Sequence, residues 1–129
     1  MGVRSDVVLV LKTELVEKLS DEMKKRWFHD CNRCYKNNAG VLYQWEYVKW
    51  YMDDYHELKE MYAWLREQPT EDFLVVEACH DYPENCDGDL GSWNDNPWNV
   101  YRNVSVSVNF ELGDDDVVIV HPAEEQNSN

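Results

Sequence analysis

The feature that most constrains the fold is the run Asp6 to Leu11 (DVVLVL), five successive large apolar residues rich in β-branched valine. Valine side chains fit a pleated strand better than a helix, and successive residues on a strand point to opposite faces. A strand apolar on both faces must be covered on both, so this run predicts the centre of a sheet, with further elements above and below it. Everything else in the chain has to supply those covers.

Three other segments carry strand patterns. Val41 to Trp50 (VLYQWEYVKW) alternates, with Val41, Tyr43, Trp45 and Tyr47 on one face and Leu42, Gln44, Glu46 and Val48 on the other. Phe73 to Ala78 (FLVVEA) is strongly apolar. Asn103 to Leu112 places Val104, Val106, Val108 and Phe110 inward and Ser105, Ser107, Asn109 and Glu111 outward. A short final strand, Val117 to Val120, follows the acidic turn Gly113 to Asp116.

Helical spacing intervenes twice. Leu15, Leu19, Met23 and Trp27 recur every four residues, with Thr13 as a start signal and Ser20-Asp21-Glu22 as a second one, so a joint is expected at Ser20. Asp54 and Glu57 form a capping box before the stripe Leu58, Met61, Tyr62 and Leu65, which ends before Pro69. The order is β-α-β-α-β-loop-β-β, an α+β two-layer sandwich with two or three helices on one face of a mixed four- to five-stranded sheet. Residues 1–121 are expected to form one domain, with a long loop at 80–102 and a disordered acidic tail at 122–129.

Charge narrows the function classes. The net charge is −14, distributed unevenly: through Trp50 there are nine Lys/Arg against seven Asp/Glu, and from Tyr51 onward three against nineteen. A strongly acidic surface repels nucleic-acid phosphate and anionic membranes and attracts basic protein surfaces. No apolar run approaches the roughly 18 residues of a membrane helix. The stretch Val7 to Leu11 is also too short, and lacks the cleavage site, of a signal peptide. The expected location is therefore the cytoplasm, with neither nucleic acid nor membrane as a direct partner.

Several chemistries can be weighed against the residues. Cys31-x-x-Cys34, with His29 nearby, could form half of a zinc knuckle, but Cys79, His80 and Cys86 make a poor second half. A structural disulfide is not expected in a cytosolic chain. Taking Gly88 as the fixed glycine of a calcium loop puts Pro83 and Asn94 at ligand positions, and both fail. A carboxylate pair for glycoside chemistry could be drawn from Glu46 with Asp89 or Asp95, but with 26 acidic residues some pair always fits. His29, His56, His80 and His121 belong to no nucleophile motif. No cofactor or metal is expected.

The loop from His80 to Arg102 combines acidic and aromatic residues, and Trp45, Trp50, Tyr51 and Tyr55 crowd the next strand–helix junction. Interface centres favour Trp and Tyr anchors with charge at the rim. The candidate binding residues are accordingly Asp81, Glu84, Asp87, Asp89, Asp95 and Asp114, Asp115 and Asp116 for charge, with Trp93 and Trp98 as anchors. The alternative for the two tryptophans is a lid that closes an open end of the core.

The stretches Val3-Arg4-Ser5-Asp6, Leu42 through Tyr51 and Gly91 through Trp98 together resemble small acidic proteins of unassigned function encoded by tailed phages. The resemblance implies an accessory protein of an infected bacterial cell that binds and inhibits host machinery, including nucleic-acid-handling defence systems of the kind anti-CRISPR and anti-restriction proteins target. It implies no catalytic residues and does not extend to the cysteines. The expected function is non-enzymatic occupation of a basic, nucleic-acid-binding surface on a host protein, carboxylates standing in for phosphates as in a DNA mimic. A zinc-supported module and a small hydrolase or ligand-binding domain with an aromatic lid are the alternatives.

Overall fold

The computed structural model describes residues 4–51, 55–79, 88–102, 106–108 and 117–119. The apolar run becomes β1 (Ser5–Lys12), and every residue of it except Lys12 is buried. It is followed by α1 (Thr13–Val16), α2 (Asp21–Phe28), β2 (Arg33–Lys36), β3 (Gly40–Val48), α3 (His56–Arg66), β4 (Phe73–Cys79), β5 (Gly88–Gly91), β6 (Tyr101–Arg102), β7 (Val106–Ser107) and β8 (Val117–Ile119). The class is α+β, as expected.

The main sheet has six strands in the order β5-β4-β1-β3-β2-β8, and every neighbouring pair is antiparallel. The expected mixed sheet of four to five strands is thus corrected in both respects. The added strands, β2 and β5, have four residues each, too short to show a clear alternation. β2 is built by a hairpin onto β3. Asn37 makes its turn, its side-chain oxygen accepting from the backbone N–H groups of Ala39 (2.8 Å) and Gly40 (3.2 Å). Gly40 is required there, because a Cβ would lie 2.0 Å from the carbonyl oxygen of Leu11.

Alternation along β1 splits the core in two. Val7, Leu9 and Leu11 join Tyr43, Trp45, Phe73 and Val75 beneath the helices, which contribute Leu15, Trp27, Phe28, Leu58, Met61, Tyr62 and Leu65. Val8 and Val10 join Leu42, Leu74, Val76 and Ala78 on the opposite face, covered by Trp93, Trp98 and Val106. The helical stripes thus bury one face as the sequence predicts. Among the described residues the other face is covered without a helix.

The joint at Ser20 is real: its side chain accepts from the N–H of Met23 (3.1 Å), an N-cap for α2, and Lys25 and Arg26 complete the last turn. α3 starts one residue later than the capping box implies, with Tyr55 at the N-cap position and no side-chain cap bond; Asp54 lies outside the described residues. Of the alternating segment 103–112, Val106 is buried and Val108 half-buried, as expected, and β7 pairs with β6 in a separate two-stranded sheet. Val104 and Phe110 lie outside the described residues, as does the 122–129 tail. Among the described residues no helix is long and apolar enough to cross a membrane.

Candidate functional site

The expected anchors are interior. Trp98 is fully buried and Trp93 nearly so, their rings meeting edge to face at 6.0 Å between centroids. The turn between them is tied by buried Asn96, whose side chain donates to the Trp93 carbonyl (2.9 Å) and accepts from the Trp98 N–H (3.0 Å). Asn99 follows at φ 50°, a left-handed conformation that asparagine tolerates. Folding these rings onto Val8, Val10 and Leu42 removes more apolar surface from water than leaving them exposed. Trp93 and Trp98 therefore act as the lid of the second core, which corrects their assignment as surface anchors.

Of the acidic candidates, Asp89 is exposed on β5 and pairs with Arg102. Asp95 is exposed in the turn between the two tryptophans. Asp81, Glu84, Asp87, Asp114, Asp115 and Asp116 lie outside the described residues.

Cys31 and Cys34 are buried and reduced, while Cys79 is disulfide-bonded, contrary to the expectation for a cytosolic chain. Burial, with the charge of Asp30 adding to it, pushes the Cys31 thiol up to about 12, away from the thiolate that nucleophilic chemistry needs. Among the described residues no three His, Cys, Asp or Glu side chains are grouped to hold a metal.

A different site is present at the end of the sheet where β1 begins and β3 ends. A cleft of about 400 Å³ opens there between the strand ends and the facing ends of α2 and α3. Its making begins with a bulge. Val7 pairs with Trp45, but Ser5 pairs with Val48, so β3 carries one extra residue at this point. Tyr47 absorbs the irregularity at φ 54°, a backbone region costly for a bulky residue. Its N–H donates to the carboxylate of buried Asp6 (2.9 Å).

The bulge reverses the expected facing of the strand end. Tyr47, placed by the alternation on the same face as Tyr43 and Trp45, is 62% exposed, and Val48 packs against the helix-side core instead. The other large hydrophobic exposed among the described residues is Tyr55, and both rings line the cleft. Tyr55 stacks on Tyr51 with centroids 6.0 Å apart and an interplanar angle of 13°.

The cleft is lined deeper by Trp27 and Trp50, both buried, whose indole N–H groups are committed elsewhere. Trp27 donates to Glu60 (2.7 Å) and Trp50 to the Tyr62 hydroxyl (3.1 Å). Glu60 also accepts from Arg26 (2.8 Å), and the two donors, Arg26 first, hold its carboxyl below the usual range. Arg26 is further paired with Glu22. His29 holds its Nδ1–H on the Arg26 carbonyl oxygen (3.3 Å), and Asp30 accepts the Trp45 indole N–H (3.0 Å).

The remaining charges at the cleft are Arg4 and Lys49 beside Tyr47, and Glu57 in the first turn of α3. The guanidinium of Arg4 lies 5.4 Å from the centre of the Tyr47 ring. Among the described residues neither Arg4 nor Lys49 forms an ion pair. The sequence signal for this site was the crowding of Trp50, Tyr51 and Tyr55. It could not show Arg4 and the α2 terminus arriving beside them, because those contacts join distant parts of the chain.

Fold and cleft together define an antiparallel α+β domain with a ligand-sized aromatic recess at one end of its sheet. No protein-family model, curated protein or solved structure matches the chain.

Proposed function

We propose that the protein is a non-enzymatic binding protein that engages a basic surface of its partner, in the manner of a phage-encoded inhibitor occupying the nucleic-acid site of a host defence or nucleic-acid-handling protein. The supporting observation is the charge asymmetry, nineteen acidic residues against three basic ones from Tyr51 onward. Charge of this density steers association with a basic surface and mimics the phosphates such a surface binds. The burial of Trp93 and Trp98 changes only the anchoring: exposed Asp95 and the rest of the acidic segment supply charge, and the surface aromatics are Tyr47 and Tyr55.

The test is capture from bacterial lysate in about 50 mM and about 500 mM salt, since interactions between exposed charges are screened at the higher value. Nucleic-acid-binding proteins are expected to be retained at low salt, released at high salt and displaced by duplex DNA. Recovery of partners that neither bind nucleic acid nor respond to salt defeats the proposal.

A second reading, a domain that binds a small ligand, is favoured by one specific observation, the aromatic cleft. It uses Glu57 and leaves the acidic residues beyond it unused.

A further inference from the structure

Three of the twelve Lys and Arg residues of this acidic protein meet at one place. Arg4, Arg26 and Lys49 all line the cleft, with His29, against Asp30 and Glu57. Arg26 is neutralised by Glu22 and Glu60, and Asp30 is hydrogen-bonded to Trp45. What stays available for a ligand is two cations beside the strand ends, one carboxylate on α3 and the rings of Tyr47, Tyr55 and the buried tryptophans.

Solubility does not account for that arrangement. In a chain of net charge −14, a lysine and an arginine have many carboxylates to pair with. Arg4 instead lies over a tyrosine ring, and Lys49 is exposed with no ion pair among the described residues. The ring of Tyr47 reaches the rim only through a left-handed backbone held by Asp6. Strained conformations of bulky residues concentrate where a side chain has to be presented.

We propose that the cleft binds a small planar heteroaromatic molecule carrying an anionic group, of the chemical class of a purine nucleoside monophosphate. The ring stacks against the tyrosines and Trp50, as bases stack on aromatic side chains generally. Lys49 and Arg4 receive the anionic group through charge-assisted hydrogen bonds. Glu57, an acceptor only, takes N–H donors from the ring edge, which favours guanine, with its adjacent ring N–H and amino group, over adenine. A volume of about 400 Å³ is in the range of sites for ligands of this size. The site shares Tyr47, Tyr55 and Glu57 with the proposed basic-surface reading but takes its cations, Arg4 and Lys49, from outside the acidic half, so GMP binding and capture of a basic partner test the two separately.

The experiment is titration of the full chain with GMP, guanosine, AMP and inorganic phosphate, followed by tryptophan fluorescence, because Trp27 and Trp50 line the cleft. GMP is expected to bind at least about tenfold more tightly than guanosine, phosphate or AMP. Lys49→Gln and Tyr55→Ala, both at exposed positions, are each expected to weaken GMP by about tenfold with an unchanged thermal midpoint. Glu57→Gln is expected to level GMP with AMP. Three results overturn the proposal: no saturable GMP binding, phosphate binding as tightly as GMP, or GMP affinity unaltered in both the Lys49 and Tyr55 variants. Equal binding of AMP and GMP by the unaltered protein overturns the guanine preference assigned to Glu57.

Discussion

The two aromatic-rich regions of the molecule began with similar compositions and ended in opposite roles. Near Trp93 and Trp98 the backbone turns back on the sheet, tied by Asn96, and both rings disappear into the core. Near Trp45 to Tyr55 the chain bulges away from it, tied by Asp6, and two of the rings emerge around a cleft. In both places one polar side chain bonded to backbone decides which way the aromatics face. Hydrogen bonding separates the regions as well: the indole N–H groups of Trp27, Trp45 and Trp50 all donate, whereas that of Trp98 is buried with no partner. The lid rings are held by packing within a turn tied by Asn96, and the cleft is framed by polar contacts on its tryptophans.

Removing the ring at the sealed end should have the largest effect. Trp98→Ala leaves a cavity in the second core and is expected to cost about 3–5 kcal/mol in chemical denaturation. Tyr55→Ala, at the open end, should cost less than about 1 kcal/mol. Equal costs would erase the distinction between lid and cleft. Asp6→Ala takes away the acceptor for the Tyr47 N–H at a buried position, and a loss of about 1–3 kcal/mol is expected. Amide exchange at Tyr47 should accelerate with it; an unchanged exchange rate would remove Asp6 from control of the bulge.

Tyr47→Asn sharpens the comparison further, since asparagine accepts the left-handed backbone more readily. Stability is expected to stay level or rise by up to about 1 kcal/mol, while GMP affinity falls. A clear destabilisation would mean that the exposed ring supports the fold. The smallest effect concerns Glu60. Its carboxyl is held down in the folded state by Arg26 and Trp27, so its contribution is present above the unfolded carboxylate range and fades as pH falls through the lowered folded value. Glu60→Gln should flatten the acid limb of the stability curve slightly, because the ion pair is partly exposed. A steeper acid limb in the variant would contradict the assignment.

Much of the frame was legible before any coordinates. The apolar run of β1, the joint at Ser20, the α3 stripe and the shared face of Tyr43 and Trp45 on β3 all follow from local periodicity. Short strands such as β2 and β5 were not, because four residues give too little alternation and their pairing is set by neighbours. Trp93 and Trp98 stay open in the sequence between surface anchor and core lid, because their composition suits an interface and a core alike. For the cleft, the crowding of aromatics was visible, but its cations were not, since Arg4 and Lys49 flank the ends of different strands.

By itself the sequence determined that a doubly covered central strand would organise an α+β domain, and that its negative charge would lie beyond Tyr51. Both are local properties, periodicity and composition, that survive any arrangement of the elements. Only the tertiary structure decided which aromatics are buried and which are offered to solvent. That outcome depends on a one-residue bulge and an asparagine turn, where a single hydrogen bond sets the facing of a large side chain.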